Sequence, residues 1–135
     1  DLFGSVSVQS AALITQSPKR ITADLQHAGP LTNLLTGVFG NPIDLVHWNQ
    51  NSPFVLARQN RARLRTMSIY INCGQQDDFR FEDGASKLHE QLLALGVPHE
   101  FHLYPGAHTP DYFLSHLGET LQFHSHVFSE PAVRK

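Results

Sequence analysis

The chain has 135 residues, 41% of them hydrophobic and 16% charged, which suits one folded domain and excludes a disordered or strongly solvated polymer. A net charge of −2 offers no electrostatic attraction for nucleic acid or an anionic membrane, and every apolar run falls short of the roughly 18 to 20 residues of a membrane span. Cys73 is the single cysteine, which excludes an internal disulfide and a cysteine-built zinc site and leaves the compartment open.

The opening residues, Asp1-Leu2-Phe3-Gly4, carry no initiator Met and no signal-like stretch, and they read as a cut made inside a longer protein. Residues 5–14 alternate small polar and apolar side chains, which predicts a short strand over 5–12. Residues 15–52 are punctuated by Gly29-Pro30, Gly37, Gly40-Asn41-Pro42 and Asn51-Ser52-Pro53. They read as a long, lid-like excursion with short helices near 22–28, 31–37 and 42–48; a connection of that length is uncommon unless it does something. A helix over 53–64 follows, with Pro53 in its first turn. Arg58, Arg61 and Arg63 on it and Arg65 just past its end are spread around a solvated face.

The second half has stronger patterns. Met67 to Cys73 is rich in β-branched and apolar residues and stops at Gly74, a buried strand. Ala85, Leu88, Leu92 and Leu95 lie on one helical face, which Gly96 and Pro98 end. Residues 99–104 form another strand, ended by Pro105-Gly106. Thr109-Pro110-Asp111 supplies a cap, a first-turn proline and a dipole-matched acid. The helix it opens carries Phe113, Leu117, Leu121, His124 and Phe128 at helical spacing. Strands alternating with helices imply an α/β fold, parallel strands with right-handed helical crossovers.

In such a sheet, reactive groups gather at the carboxyl ends of the strands. Gly74-Gln75-Gln76-Asp77-Asp78 follows one strand and Pro105-Gly106-Ala107-His108 the next, and neighbouring strands lie about 5 Å apart. Asp77 and His108 can therefore meet, and an acid beside an imidazole is how a serine hydrolase orients its base. Spacing alone equally allows Asp77 to be a turn former and His108 an ordinary surface residue.

These residues resemble the Putative esterase family of α/β-hydrolases, which includes esterase D (S-formylglutathione hydrolase), tributyrin-type esterases and the antigen 85 mycolyltransferases. Four segments carry the likeness. They are Asp1 to Val6; Phe39-Gly40-Asn41-Pro42 with Trp48 and Asn51-Ser52-Pro53; Cys73-Gly74-Gln75-Gln76-Asp77; and Leu95 to Phe101 with Pro105-Gly106-Ala107-His108. The resemblance implies that the chain is the C-terminal portion, residues 1–135, of a single α/β-hydrolase domain, with Asp77 the triad acid, Asp78 its rival, and His108 the general base. Ala107 stands where a second glycine is more usual, and Thr109-Pro110 replaces a common acidic-aromatic pair. Trp48 and Ser10 are candidate substrate-binding residues, against the plainer readings of a loop anchor and a strand serine.

No Gly-x-Ser-x-Gly occurs in the chain. By the resemblance, the nucleophile and the oxyanion hole belong to an N-terminal half. The chain alone is then expected to be inactive, its first strand exposing a sheet edge that binds the missing half or another copy. The substrate implied is a small ester, with no cofactor. Against that stands a non-catalytic module of the same fold, used for binding or assembly.

Nine histidines invite a metal reading, but none is expected to hold one. His99 and His102, three apart on a strand, point to opposite faces, and His89-Glu90 lacks the second histidine of a helical zinc motif. The acids Asp77, Asp78, Glu82 and Asp83 lack calcium-loop spacing. Cys73 is expected to be an inert buried thiol.

Overall fold

Three strands form the scaffold of the computed structural model, which describes residues 3–15 and 30–129. They are β1 (Ser5–Gln9), β2 (Ser68–Gly74) and β3 (Glu100–Tyr104), all parallel, in the order β1-β2-β3. The helices are α1 (Pro30–Phe39), α2 (Leu45–Asn51), α3 (Pro53–Gln59), α4 (Arg61–Leu64), α5 (Phe81–Ala94), α6 (Pro110–Ser115) and α7 (Leu117–Ser129). The chain divides into two compact units, residues Thr15–Gln59 and the remainder.

In the larger unit the period-two alternation of β2 sends different chemistry to its two faces. Ile69, Ile71 and Cys73 share one face and are buried, each aliphatic side chain contributing about 1.5–3 kcal/mol. Phe101 pairs in register with Ile71 and stacks on His89 of α5, so α5 covers this apolar face. Tyr70 and Asn72 point the other way. Tyr70 packs against Phe123 of α7, and the Asn72 side-chain oxygen Oδ1 accepts the Tyr112 hydroxyl at 3.1 Å. Helices on both faces are why β2 reads as an almost continuous apolar run rather than an alternating one.

Several boundaries differ from expectation, each for a local reason. The first strand stops at Gln9 rather than 12 because Ser10 turns into the left-handed region at φ 41. The helix expected over 42–48 begins at Leu45, where the Asp44 carboxylate accepts the Val46 and His47 amides at 2.8 and 3.1 Å. The helix expected over 53–64 is two, interrupted where Asn60 leaves helical geometry. The last helix is also two, broken at His116, whose ring stacks on Tyr104. The helix expected near 22–28 lies outside the described residues. In the smaller unit, Trp48 is buried and packs on Phe39 with ring centroids 4.8 Å apart.

His99 meets His89 at 2.8 Å, whereas His102 stacks on Tyr104. Burial, then the neighbouring His99, holds the His89 imidazole below its usual range. Among the described residues no three His, Cys, Asp or Glu side chains converge as a metal site, and no helix is long and apolar enough to cross a membrane.

The polar face under α6 and α7 is a chain of hydroxyls. Tyr112 bonds Asn72, the Asn72 amide donates to the Tyr70 oxygen at 3.4 Å, and the Tyr70 and Tyr104 hydroxyls lie 3.5 Å apart. The contact with Tyr70, and then burial, push the Tyr104 phenol up to about 12. A raised acid favours the neutral phenol in the folded state. Its contribution to stability is complete below the ordinary value of 10.0 and is lost as pH rises towards about 12. Unfolding midpoints measured by circular dichroism should therefore fall across that window, and Tyr104→Phe should make the fall shallower.

Candidate active site

Strands β2 and β3 end level, since Gly74 pairs with Tyr104, so the loops that follow start side by side. Backbone contacts stitch these loops together. The Gln75 amide donates to the Tyr104 carbonyl at 2.8 Å and the Gln76 amide to the Gly106 carbonyl at 2.9 Å. In return the Gly106 amide donates to the Gln76 side-chain oxygen at 2.8 Å. Gly74 makes this approach possible, and Gly106 lets the histidine loop pack against the helix that follows it. A Cβ on Gly74 would collide with the Gly106 carbonyl, and one on Gly106, at φ 142, would come within 2.6 Å of the Tyr112 ring.

The stitched loops bring Asp77 and His108 together. Asp77 Oδ2 lies 2.9 Å from His108 Nδ1, with the carboxylate side chain fully buried and the imidazole one-quarter exposed. An ionised carboxylate only accepts, so Nδ1 carries the proton and Nε2 is the free nitrogen. Asp77 Oδ1 meanwhile accepts the backbone amides of Phe79 at 3.0 Å and Phe81 at 3.5 Å. One oxygen thus forms the turn that starts α5, and the other holds the histidine. Asp78 accepts the His108 backbone amide at 3.2 Å, so it positions the loop rather than the ring.

Three phenylalanines surround the imidazole. Phe79, Phe81 and Phe113 have ring centroids 5.1, 5.4 and 5.0 Å from that of His108, all near perpendicular to it. Edge-to-face aromatic contacts of this kind restrict the ring to one orientation. Sequence reading did not single out Phe79 or Phe81, and it placed Phe113 only on a helical face. The available signal was that Phe79 and Phe81 follow the acid by two and four positions. Thr109 caps α6 by accepting the Tyr112 amide at 3.3 Å, which anchors the far side of the histidine loop.

The other candidates are placed differently. Ser10 is 3% exposed behind the acid loop, its hydroxyl 3.5 Å from Cys73 Sγ. Trp48 belongs to the smaller unit and is packed in its interior. Cys73 is fully buried. Burial pushes its thiol up from the ordinary value, with a further rise from the Asp77 charge, so it is an S–H group rather than a thiolate.

A family model described as "Putative esterase" matches residues 1–124. Among solved structures the chain is similar to a ferulic acid esterase, with 20% identity and a TM-score of 0.62, covering 95% of this chain and 43% of that one. It is similar also to FphF, a fluorophosphonate-binding serine hydrolase of Staphylococcus aureus, with 18% identity, a TM-score of 0.64, and 90% and 44% coverage. A third is the S-formylglutathione hydrolase FrmB of Staphylococcus aureus, with 18% identity, a TM-score of 0.52, and 94% and 42% coverage. The chain thus spans less than half the length of each of these proteins. No curated protein sequence matches it.

The loop geometry has a direct spectroscopic consequence. The proton on His108 Nδ1, held by a buried carboxylate, should give a slowly exchanging downfield resonance in the proton NMR spectrum of the chain. Asp77→Asn should remove it or move it strongly upfield, and Gly74→Ala, whose Cβ would collide with the Gly106 carbonyl, should abolish it by forcing the loops apart.

Proposed function

This chain belongs to the Putative esterase family of α/β-hydrolases, and on that premise we propose that it supplies the acid and base, Asp77 and His108, of a Ser-His-Asp carboxylic ester hydrolase. The observation that carries this reading is the 2.9 Å contact between Asp77 Oδ2 and His108 Nδ1 at the carboxyl ends of two parallel strands. The nucleophile is assigned to an N-terminal half of the same protein. Supporting this are the lack of any Gly-x-Ser-x-Gly among the 135 residues and the share of its structural neighbours that the chain spans, 43% of the ferulic acid esterase.

The chemistry runs through His108 Nε2. It takes the serine proton as the hydroxyl attacks the ester carbonyl, and Asp77 stabilises the imidazolium without itself becoming protonated. Collapse of the tetrahedral intermediate returns that proton to the departing alcohol and leaves an acyl-serine. His108 then activates water in the same way, the acid is released, and the serine regains its proton. No metal or organic cofactor takes part in this sequence.

Two surface features of the larger unit support a missing partner surface. Strand β1 is paired on one side only among the described residues. Leu117, Leu121 and Phe128 of α7 are 44, 59 and 75% exposed, and they share a helical face with His124, which bonds the β1 side chains of Ser5 and Ser7 at 2.8 and 3.0 Å. An apolar stripe beside an open strand edge is a surface for another strand and its covering helix. The nucleophile-bearing half is the occupant proposed.

The decisive experiment treats the full-length protein with a fluorophosphonate probe. Wild type should label at one serine, His108→Ala should lose labelling, and Asp77→Asn should lower kcat/KM on a small ester by about 10⁴-fold. A well-folded protein that does not label would instead support the binding or assembly module. In addition, the isolated 135-residue chain should hydrolyse no ester at an enzymatic rate. In analytical ultracentrifugation it should sediment as a species larger than a monomer; a monodisperse monomer would speak against the open surface.

A further inference from the structure

Asp77 Oδ2 has a second neighbour besides the histidine. Cys73 Sγ lies 3.9 Å from it, inside the sheet end, and Ser10 Oγ lies 3.5 Å from that sulfur. The direction of each proton follows from chemistry. The carboxylate only accepts, so the thiol donates to it. The thiol is kept protonated by its burial, so its sulfur is free to accept from the Ser10 hydroxyl. Ser10 Oγ in turn accepts the Gly74 backbone amide at 3.4 Å. All three side chains are buried, at 3, 0 and 5% exposure for Ser10, Cys73 and Asp77.

Ser10 reaches this position only through its backbone. Its amide continues the β1–β2 ladder by donating to the Asn72 carbonyl at 2.9 Å, and its φ of 41 then turns the side chain back over the end of β2. A left-handed conformation is costly for a residue with a Cβ and free for glycine. Strain held in a buried residue beside a reactive group points to a role for its side chain.

We propose that Ser10 and Cys73 are positioning residues for the acid: a buried relay from the Ser10 hydroxyl through the Cys73 thiol to Asp77 Oδ2 fixes the oxygen that holds the His108 proton. Two backbone amides already restrain Oδ1. The thiol restrains the other oxygen, so the carboxylate cannot twist out of the imidazole plane. The catalytic consequence rests on the hydrolytic reading above, whereas the relay does not. A thiol donor at this distance is weak, so its loss should slow the reaction without affecting substrate binding.

Because the chain has one cysteine, its S–H stretching band in the infrared spectrum reports Cys73 alone. In the wild-type chain the band should lie below the free-thiol position, and Asp77→Asn and Ser10→Gly should both shift it. Ser10→Gly relieves the backbone strain, so it should keep the wild-type unfolding midpoint while still moving the band. A band at the free-thiol position, or one indifferent to Asp77→Asn, overturns the relay whatever the protein catalyses. In the full-length enzyme, Cys73→Ala should lower kcat roughly 3- to 10-fold at unchanged KM, and Cys73→Ser, which keeps a donor, should restore most of it. Equal losses in the two variants, or a loss confined to KM, overturn the positioning role. A coupled thiol in a protein that hydrolyses no ester removes the hydrolytic reading, and the relay's catalytic role with it.

Discussion

Buried beside the end of β2, the Asp77 carboxylate is a charge that the fold must satisfy from all sides. Two backbone amides, an imidazole and a thiol converge on it. Desolvating a carboxylate costs several kcal/mol unless such partners surround it, so the geometry of this corner is constrained by electrostatics as much as by packing. The turn into α5, the orientation of His108 and the placement of Ser10 all serve the same two oxygens. A change in any one of them alters the environment of the charge.

That corner exists because two parallel strands end level and Gly74 lets their loops touch. The sheet beneath it has an unusual division of labour. One face is aliphatic, and the other carries Tyr70, Asn72 and Tyr104, joined to Tyr112 of α6 through a line of polar contacts. The same helix is capped by Thr109, the residue after the histidine. The histidine loop is thus held from one side by the acid loop and from the other by a helix whose own anchorage is a buried hydroxyl network. Such networks are rigid when every member is satisfied.

The legibility of the elements follows their dominant force. The strand 67–73 and the face Ala85, Leu88, Leu92 and Leu95 are set by burial, which repeats along the chain and can be counted. Accordingly β2 appears as Ser68–Gly74 and α5 buries Ala85, Leu88 and Leu92, while Leu95 is half-buried at its C-cap. The last helix was legible in extent but not in its break at His116, because that break depends on a ring stacking on Tyr104 from a different element. The helical spacing of Leu121 and Phe128 does not make them core: both are exposed, while Phe123 packs on Tyr70. Helical spacing defines a face but does not say what covers it.

The sequence by itself determined the α/β alternation, the strand ends where chemistry gathers, and the identity of two residues able to meet there. Those features are local: periodicity, turn residues and a spacing that one crossover converts into adjacency. Only the tertiary structure decided which oxygen of Asp77 serves the turn and which the histidine, that Asp78 holds a backbone amide rather than the ring, and that Ser10 lies behind the acid. It alone placed Phe79, Phe81 and Phe113 around the imidazole. These are contacts between groups brought together by folding, whose directions depend on rotamers and on one left-handed backbone, and no pattern along the chain encodes them.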